Sequence, residues 1–313
     1  MFIRYWRGDT GRDKEQEQMN RINIVAILQL LVFASLVVGR TIFVDDDGPA
    51  DFNNIQAAID DANDGDMVIV ADGVYTGEGN RDIDFKGKAI TVQSENGPEN
   101  CIIDCNGTRA EGHRGFKFVS GEGQNSVLDG FTITNGYYHE GWPEGGAAIC
   151  CWESSPLITN CILRDNIAWS GGGICCDESS PTISNCTIGE NTAYCDGGGI
   201  CCEENCSLTI INCIISRNSA WAGGGGIFCS WRSNLTIIDC TISENKAKMG
   251  CGGGICCREG YESNLTITNC TISNNTAAGE GGGIYGEIYE VLSSLTITNC
   301  IICLLYTSPS PRD

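Results

Sequence analysis

Residues 184–205 read "SNCTIGENTAYCDGGGICCEEN", and close variants of this phrase stand before and after it. "TNCILRDNIAWSGGGICCDES" starts at Thr159, and "INCIISRNSAWAGGGGIFCSW" starts at Ile211. A repeat this plain constrains the architecture before any chemistry is considered, because each unit must be one module of a stack. The isoleucine after the glycines falls at Ile149, Ile174, Ile200, Ile227, Ile255 and Ile284. A cysteine recurs at Cys161, Cys186, Cys213, Cys240, Cys270 and Cys300. An asparagine follows the first five of these at a fixed offset: Asn166, Asn191, Asn218, Asn245 and Asn275. Length varies only around the glycines, so the fixed segments are structural and the loops absorb the insertions.

The units carry no amphipathic segment of helical period and length. They alternate instead, as in "LTITNCTIS" over residues 265–273, where Leu265, Ile267, Cys270 and Ile272 would face one side. The WD dipeptide of propeller blades is missing, and cysteine or isoleucine follows the glycines where calcium-binding nonapeptides need aspartate. The predicted fold is all-β: a right-handed parallel β-helix of about three short strands per coil, stacked roughly 4.8 Å apart. The asparagine column would form an amide ladder at a left-handed bend, and the glycines a tight corner. "AITVQS", "CIIDCNG" and "SVLDGFTITNG" read as degenerate earlier coils, with Phe131 in the cysteine position. Before them, Ile55, Ala58, Ile59 and Ala62 share a helical face, with Asp51 or Asn53 as N-cap. A short helix here would cover the open end of the core, which would otherwise be an aggregation edge.

The organisation follows. Residues 1–39 read as an upstream extension plus a signal peptide at 19–39, with Val37 and Gly39 before the cleavage point. Residues 40–100 hold the cap and first coils, and 101–302 the repeats. "CLLYTSPSPRD", residues 303–313, breaks the repeat in mid-rung and reads as a translated sequencing adapter, so the natural chain is expected to continue. The net charge of -21 excludes a nucleic-acid partner, which needs a basic surface, and the mature chain is expected to have no membrane span.

"TIFVDDDGPADFNNIQAAIDDANDGDMVIVADGVY", from Thr41, resembles the N-terminal segment of secreted right-handed parallel β-helix proteins of the pectin-lyase-like superfamily. The "GGGI" and "IS-x-N" phrases are similar to those of polymorphic outer-membrane adhesins. The resemblance implies the fold and a secreted or cell-surface location. It does not choose among the activities such folds carry.

The 21 cysteines fall into columns. One is the column before the asparagines. Another is Cys151, Cys176, Cys202, Cys229 and Cys257. A third is Cys150, Cys175, Cys201 and Cys256, with Phe228 and Tyr285 substituting. Aromatic replacement argues against metal ligands and favours small apolar filling. Export leaves disulfides open.

For a site, the pattern offers two columns. Trp169, Tyr194 and Trp221 stand three residues after the column asparagine on consecutive coils. Facing outward they would form a strip suited to the apolar face of a sugar ring; facing each other they would brace a corner. Glu153, Asp177/Glu178, Glu203/Glu204 and Glu259 form an acidic edge, which reads as a solvated face or a calcium ladder. No metal ligands or other cofactors are otherwise expected, and Asp45, Asp46 and Asp47 read as a turn. His113 and His139 are expected in solvated loops. Asp104, Asp129 and Asp239 show no basic partner at a recognisable spacing, so no catalytic set emerges. The expected function is therefore non-catalytic adhesion, scaffolding or carbohydrate binding, with an extracellular polysaccharide or cell-surface glycan as partner. The alternative is a polysaccharide lyase or glycoside hydrolase.

Overall fold

The structure, a computed structural model, describes residues 39–139, 145–230, 232–260, 263–288, 294–303 and 306–307. The expected leader at 1–39, Gly39 excepted, and most of the 303–313 tail lie outside them. From Gly39 onward the described residues form one compact unit. No helix among them is long and apolar enough to cross a membrane.

Residue alternation and coil stacking generate parallel sheets running the length of the rod. Sheet A has 10 strands, from Thr41–Val44 to Ser294–Thr298. Sheet B has 9, from Gly73–Tyr75 to Ile301–Cys303, and sheet C has 8, from Ile83–Asp84 to Ile284–Ile288. Sheet D has 7, from Tyr137–Tyr138 to Tyr306–Thr307. The regular coils thus have four strands, not the expected three. The extra strand is a two-residue one, such as Ile167–Ala168 or Thr192–Ala193, just after the column asparagine. Two residues are too few to leave an alternation in the sequence. Sheets A, B and C all pass residue 100 without a break.

The inward columns are the predicted ones. Ile158, Ile183, Ile210, Ile237 and Ile267 line sheet A, and Leu163, Ile188, Ile215, Ile242 and Ile272 line sheet B, all fully buried. Each such side chain contributes about 1.5–3 kcal/mol relative to exposure. The early, irregular coils fill their core with rings: Phe85 lies 4.5 Å from Phe118 and 6.3 Å from Phe116.

The asparagine column is buried and forms an amide ladder. Nδ2 of Asn166, Asn191, Asn218 and Asn245 each donates at 3.0 Å to Oδ1 of the next. The same Oδ1 accepts the previous rung's backbone N–H at 2.9–3.1 Å. The left-handed bend, however, belongs to the residue before: Asp165, Glu190, Arg217, Glu244 and Asn274 have φ of 56–61°. The asparagine is fixed because a buried amide must be satisfied on every rung. A second, exposed left-handed column precedes each cysteine: Asn160, Asn185, Asn212, Asp239 and Asn269. There Asn160 donates to Asp129 at 2.7 Å and Asn269 to Asp239 at 3.0 Å. At the other bend, Asn135, which stacks on Asp165, donates to Asp104 at 3.0 Å. The three aspartates are acceptors at these two outer corners.

The cysteine column forms a third ladder. The N–H of each cysteine from Cys161 to Cys270 meets the next coil's Sγ at 3.3–3.4 Å. Each of these thiols from Cys161 to Cys270 lies 3.1–3.3 Å from the carbonyl two residues back. All cysteines are free thiols. The Cys151 column faces the same core, whereas Cys175, Cys201, Phe228 and Cys256 form a separate cluster on the outer face of sheet C. Glycine loops fold over it: a Cβ on Gly223 would sit 3.0 Å from Cys256 Sγ.

The capping helix is Ile55–Asp61, with Ile55, Ala58 and Ile59 buried. Its N-cap is Asn54, which accepts from Ala57 N–H at 2.9 Å, rather than Asp51 or Asn53. Asp51 is engaged elsewhere, accepting from Phe43 N–H at 2.9 Å, and Asn53 accepts from the Asn54 side chain at 3.1 Å.

Candidate functional site

Trp169, Tyr194 and Trp221 follow Ala168, Ala193 and Ala220 at the end of the sheet D strands. The alanines are buried and the rings point out, with 39%, 42% and 56% of their surface exposed. Backbone bonds keep them in register: Tyr194 N–H reaches Ala168 O at 2.9 Å, and Trp221 N–H reaches Ala193 O at 3.1 Å. The strip starts one coil earlier than the sequence indicated. His139 sits edge-on to Trp169 at 5.2 Å and to Tyr194 at 4.9 Å. Tyr137 stacks on His139 at 6.4 Å, and its hydroxyl lies 3.5 Å from that of Tyr194. That shared bond raises the Tyr137 phenol above its usual range. His139 is exposed, as expected, but belongs to this ring cluster. The strip runs out at Lys248 and Ala278, the next residues in the column.

A second feature was not read from the sequence. On the outer face of sheet C, in the irregular coils, Asp82, Arg114, Lys117, Tyr138 and Trp152 line a cleft of about 300 Å³. Asp82 takes a left-handed conformation, φ 53°. Its Oδ2 lies 2.6 Å from His113 Nδ1, and its Oδ1 accepts from Arg114 N–H at 3.0 Å. His113 is thus paired, not a solvated loop residue; Glu111 approaches its other nitrogen at 3.3 Å. The Arg114 side chain is buried, its guanidinium 3.5 Å from the centre of the Tyr138 ring. Lys117 projects outward between Phe116 and Phe118, which face the core. The one legible signal was "HRGFKF", where cations alternate with buried rings.

The acidic edge lies on the same sheet, further along. Asp177 and Glu203 are register partners on successive coils, and Trp152 pairs with Asp177 on the other side. Glu153, Glu178 and Glu204 adopt left-handed conformations at the strand ends; the Glu259 side chain lies outside the described residues. Burial, reinforced by Glu203, Glu204 and Glu178, pushes the Asp177 carboxyl up to about 6. At the N-terminus, Asp45, Asp46 and Asp47 bring three carboxylates within 4.8 Å of one another. Asp45 Oδ1 accepts from the N–H groups of Asp47 and Gly48 at 3.2 and 3.0 Å, which is the geometry of the expected turn. Burial raises the thiols of Cys101, Cys105 and Cys201, keeping these three protonated.

The family model described as right-handed β-helix region matches residues 52–220 and 147–303. Among solved structures, the chain is similar to the A-module of the Azotobacter vinelandii mannuronan C-5 epimerase AlgE6. That likeness has 15% identity over 79% of this chain and 94% of that one, at a TM-score of 0.26. No curated protein matches.

Proposed function

The chain belongs to the right-handed β-helix family, and from that premise we propose that it is an exported or cell-surface protein that binds an extracellular polysaccharide. The contact surface is the strip of Tyr137, His139, Trp169, Tyr194 and Trp221. The observation that carries this reading is the exposure of Trp169, Tyr194 and Trp221 on three consecutive coils, in register and pointing away from the core. Rings that only braced a corner would bury one another. Rings at successive coils, roughly 4.8 Å apart, offer a row of flat apolar faces on a rigid rod, which suits adhesion or scaffolding through sugar-ring stacking. Adding the matching polysaccharide should shift the tryptophan fluorescence. Trp169→Ala with Trp221→Ala should weaken retention on it by about tenfold or more and leave the melting temperature nearly unchanged. Loss of stability with no glycan response would assign the rings to bracing and refute the reading.

A second reading, catalysis on a polysaccharide, is favoured by the cleft. An enzyme of this architecture needs non-repeating charged residues gathered across neighbouring coils, and Asp82, His113, Arg114 and Lys117 are such a set. Release of unsaturated or reducing ends by the parent chain, abolished in Asp82→Asn, would establish it. No release from acidic or neutral glycans would leave the binding role alone.

A further inference from the structure

Strand alternation turns Trp152, Asp177 and Glu203 to the outer face of sheet C on three consecutive coils. Asp177 is nevertheless only 3% exposed, and its Oδ1 is buried without a hydrogen-bond partner. Its backbone carbonyl is taken, accepting from Glu153 N–H at 3.1 Å and from the Ser179 hydroxyl at 2.7 Å. The charges acting most strongly on it are Glu203, Glu204 and Glu178, all negative. Arg258, further along the same sheet, interacts with Cys256, Cys251 and Asp196. A buried carboxylate oxygen left without a partner is costly, and such groups are normally paired or bound to a metal.

We propose that Asp177 and Glu203 bridge a hard divalent cation of the calcium class between two successive coils. The spacing suits it. Register partners on parallel strands lie one coil repeat apart, roughly 4.8 Å between backbones, so both carboxylates can turn to one ion, and calcium accepts irregular oxygen sets at about 2.3–2.6 Å. Magnesium demands near-ideal octahedral geometry at about 2.0–2.1 Å and gives up its water reluctantly, so a buried carboxylate pair suits it less well. Glu203 is pre-oriented, since the Cys201 thiol donates to its Oε1 at 3.2 Å. That thiol is held protonated by burial, so it acts as a donor and not as a ligand for a soft metal. The site stands apart from the aromatic strip and does not depend on the glycan reading.

The register also supplies the assay. Trp152 is the coil neighbour of Asp177, so its indole should sensitise a lanthanide seated there. Terbium titrated into the full chain after chelator treatment, with tryptophan excitation, should give saturable emission that calcium displaces. Asp177→Asn and Glu203→Gln should each raise the half-saturating concentration by about tenfold or more. Trp152→Phe should dim the emission while calcium still raises the melting temperature. Asp46→Asn, in the exposed acidic turn, should change nothing. Emission indifferent to both carboxylate variants, or lost in Asp46→Asn, would overturn the proposal. So would a parent chain unmoved by calcium while Asp177→Asn stabilises it at neutral pH, the mark of a shared proton. Should Asp177→Asn fail to fold, Glu203→Gln decides alone.

Discussion

Truncating the middle of the amide ladder tests the account of the fold most directly. The Asn218 side chain makes four hydrogen bonds. Its Oδ1 accepts from Asn191 N–H at 3.1 Å and from Asn191 Nδ2 at 3.0 Å. Its Nδ2 donates to Ile188 O at 2.8 Å and to Asn245 Oδ1 at 3.0 Å. Asn218→Ala therefore strands one backbone N–H and one amide hydrogen of Asn191, both buried, and removes a partner from Ile188 O. Asn245 Oδ1 keeps the Asn218 backbone N–H at 3.0 Å, so it is only half deprived. Each fully orphaned buried group costs about 1–3 kcal/mol. Two such donors, with a small void in addition, give an expected loss of about 3–5 kcal/mol. An exposed control, Asn96→Ala, should lose under about 0.5 kcal/mol. Urea titration followed by circular dichroism measures the difference. Because coils couple mainly to their neighbours, hydrogen exchange should locate the damage at residues 188–191 and 218. A loss under about 1 kcal/mol, or protection lost evenly along the rod, would refute the claim that the ladder holds the coils together.

Other expectations follow from the same structure. Gly198→Ala would place a Cβ 2.4 Å from Gly225 O and 2.6 Å from Ser219 backbone atoms, so it should abolish soluble expression or cost more than about 3 kcal/mol. Gly189→Ala, whose nearest neighbour would be Ser216 O at 3.1 Å, should be tolerated in a parallel expression and melting test. Asn54→Ala should cost about 1 kcal/mol by removing the helix N-cap, read by denaturant titration. In chelated protein, the Asp177 carboxyl, raised to about 6, holds its proton more tightly folded than unfolded. Stability should therefore fall as pH rises from about 4 through 6, by up to about 3 kcal/mol, and Asp177→Asn should flatten that slope in a pH series of melts.

The sequence displays whatever the coil repeats and conceals whatever it does not. Inward columns such as Ile188, Ile215 and Ile242 were legible because each coil must fill the same space. The column asparagine was legible for the same reason, but its conformation was misassigned. The bend accepts Asp165, Glu190, Arg217 and Glu244 in turn, so the strained position looks variable, while the unstrained, hydrogen-bonded one looks fixed. Constancy here marks a buried amide that has no substitute, and not the backbone angle. The cleft shows the converse. Asp82, Arg114, Lys117 and Trp152 come from coils about 30 residues apart that lie before or at the edge of the regular phrase, so no periodicity brings them together on the page. Coil stacking does so in space, and only the register Ile83↔Phe116↔Ile149 reveals it. The acidic edge stands between these cases. Its column was visible, but a solvated face and a cation site have the same letters. What separates them is the burial of Asp177 beside the open Glu153 and Glu178, a difference set by how the loops close over sheet C and not by residue type.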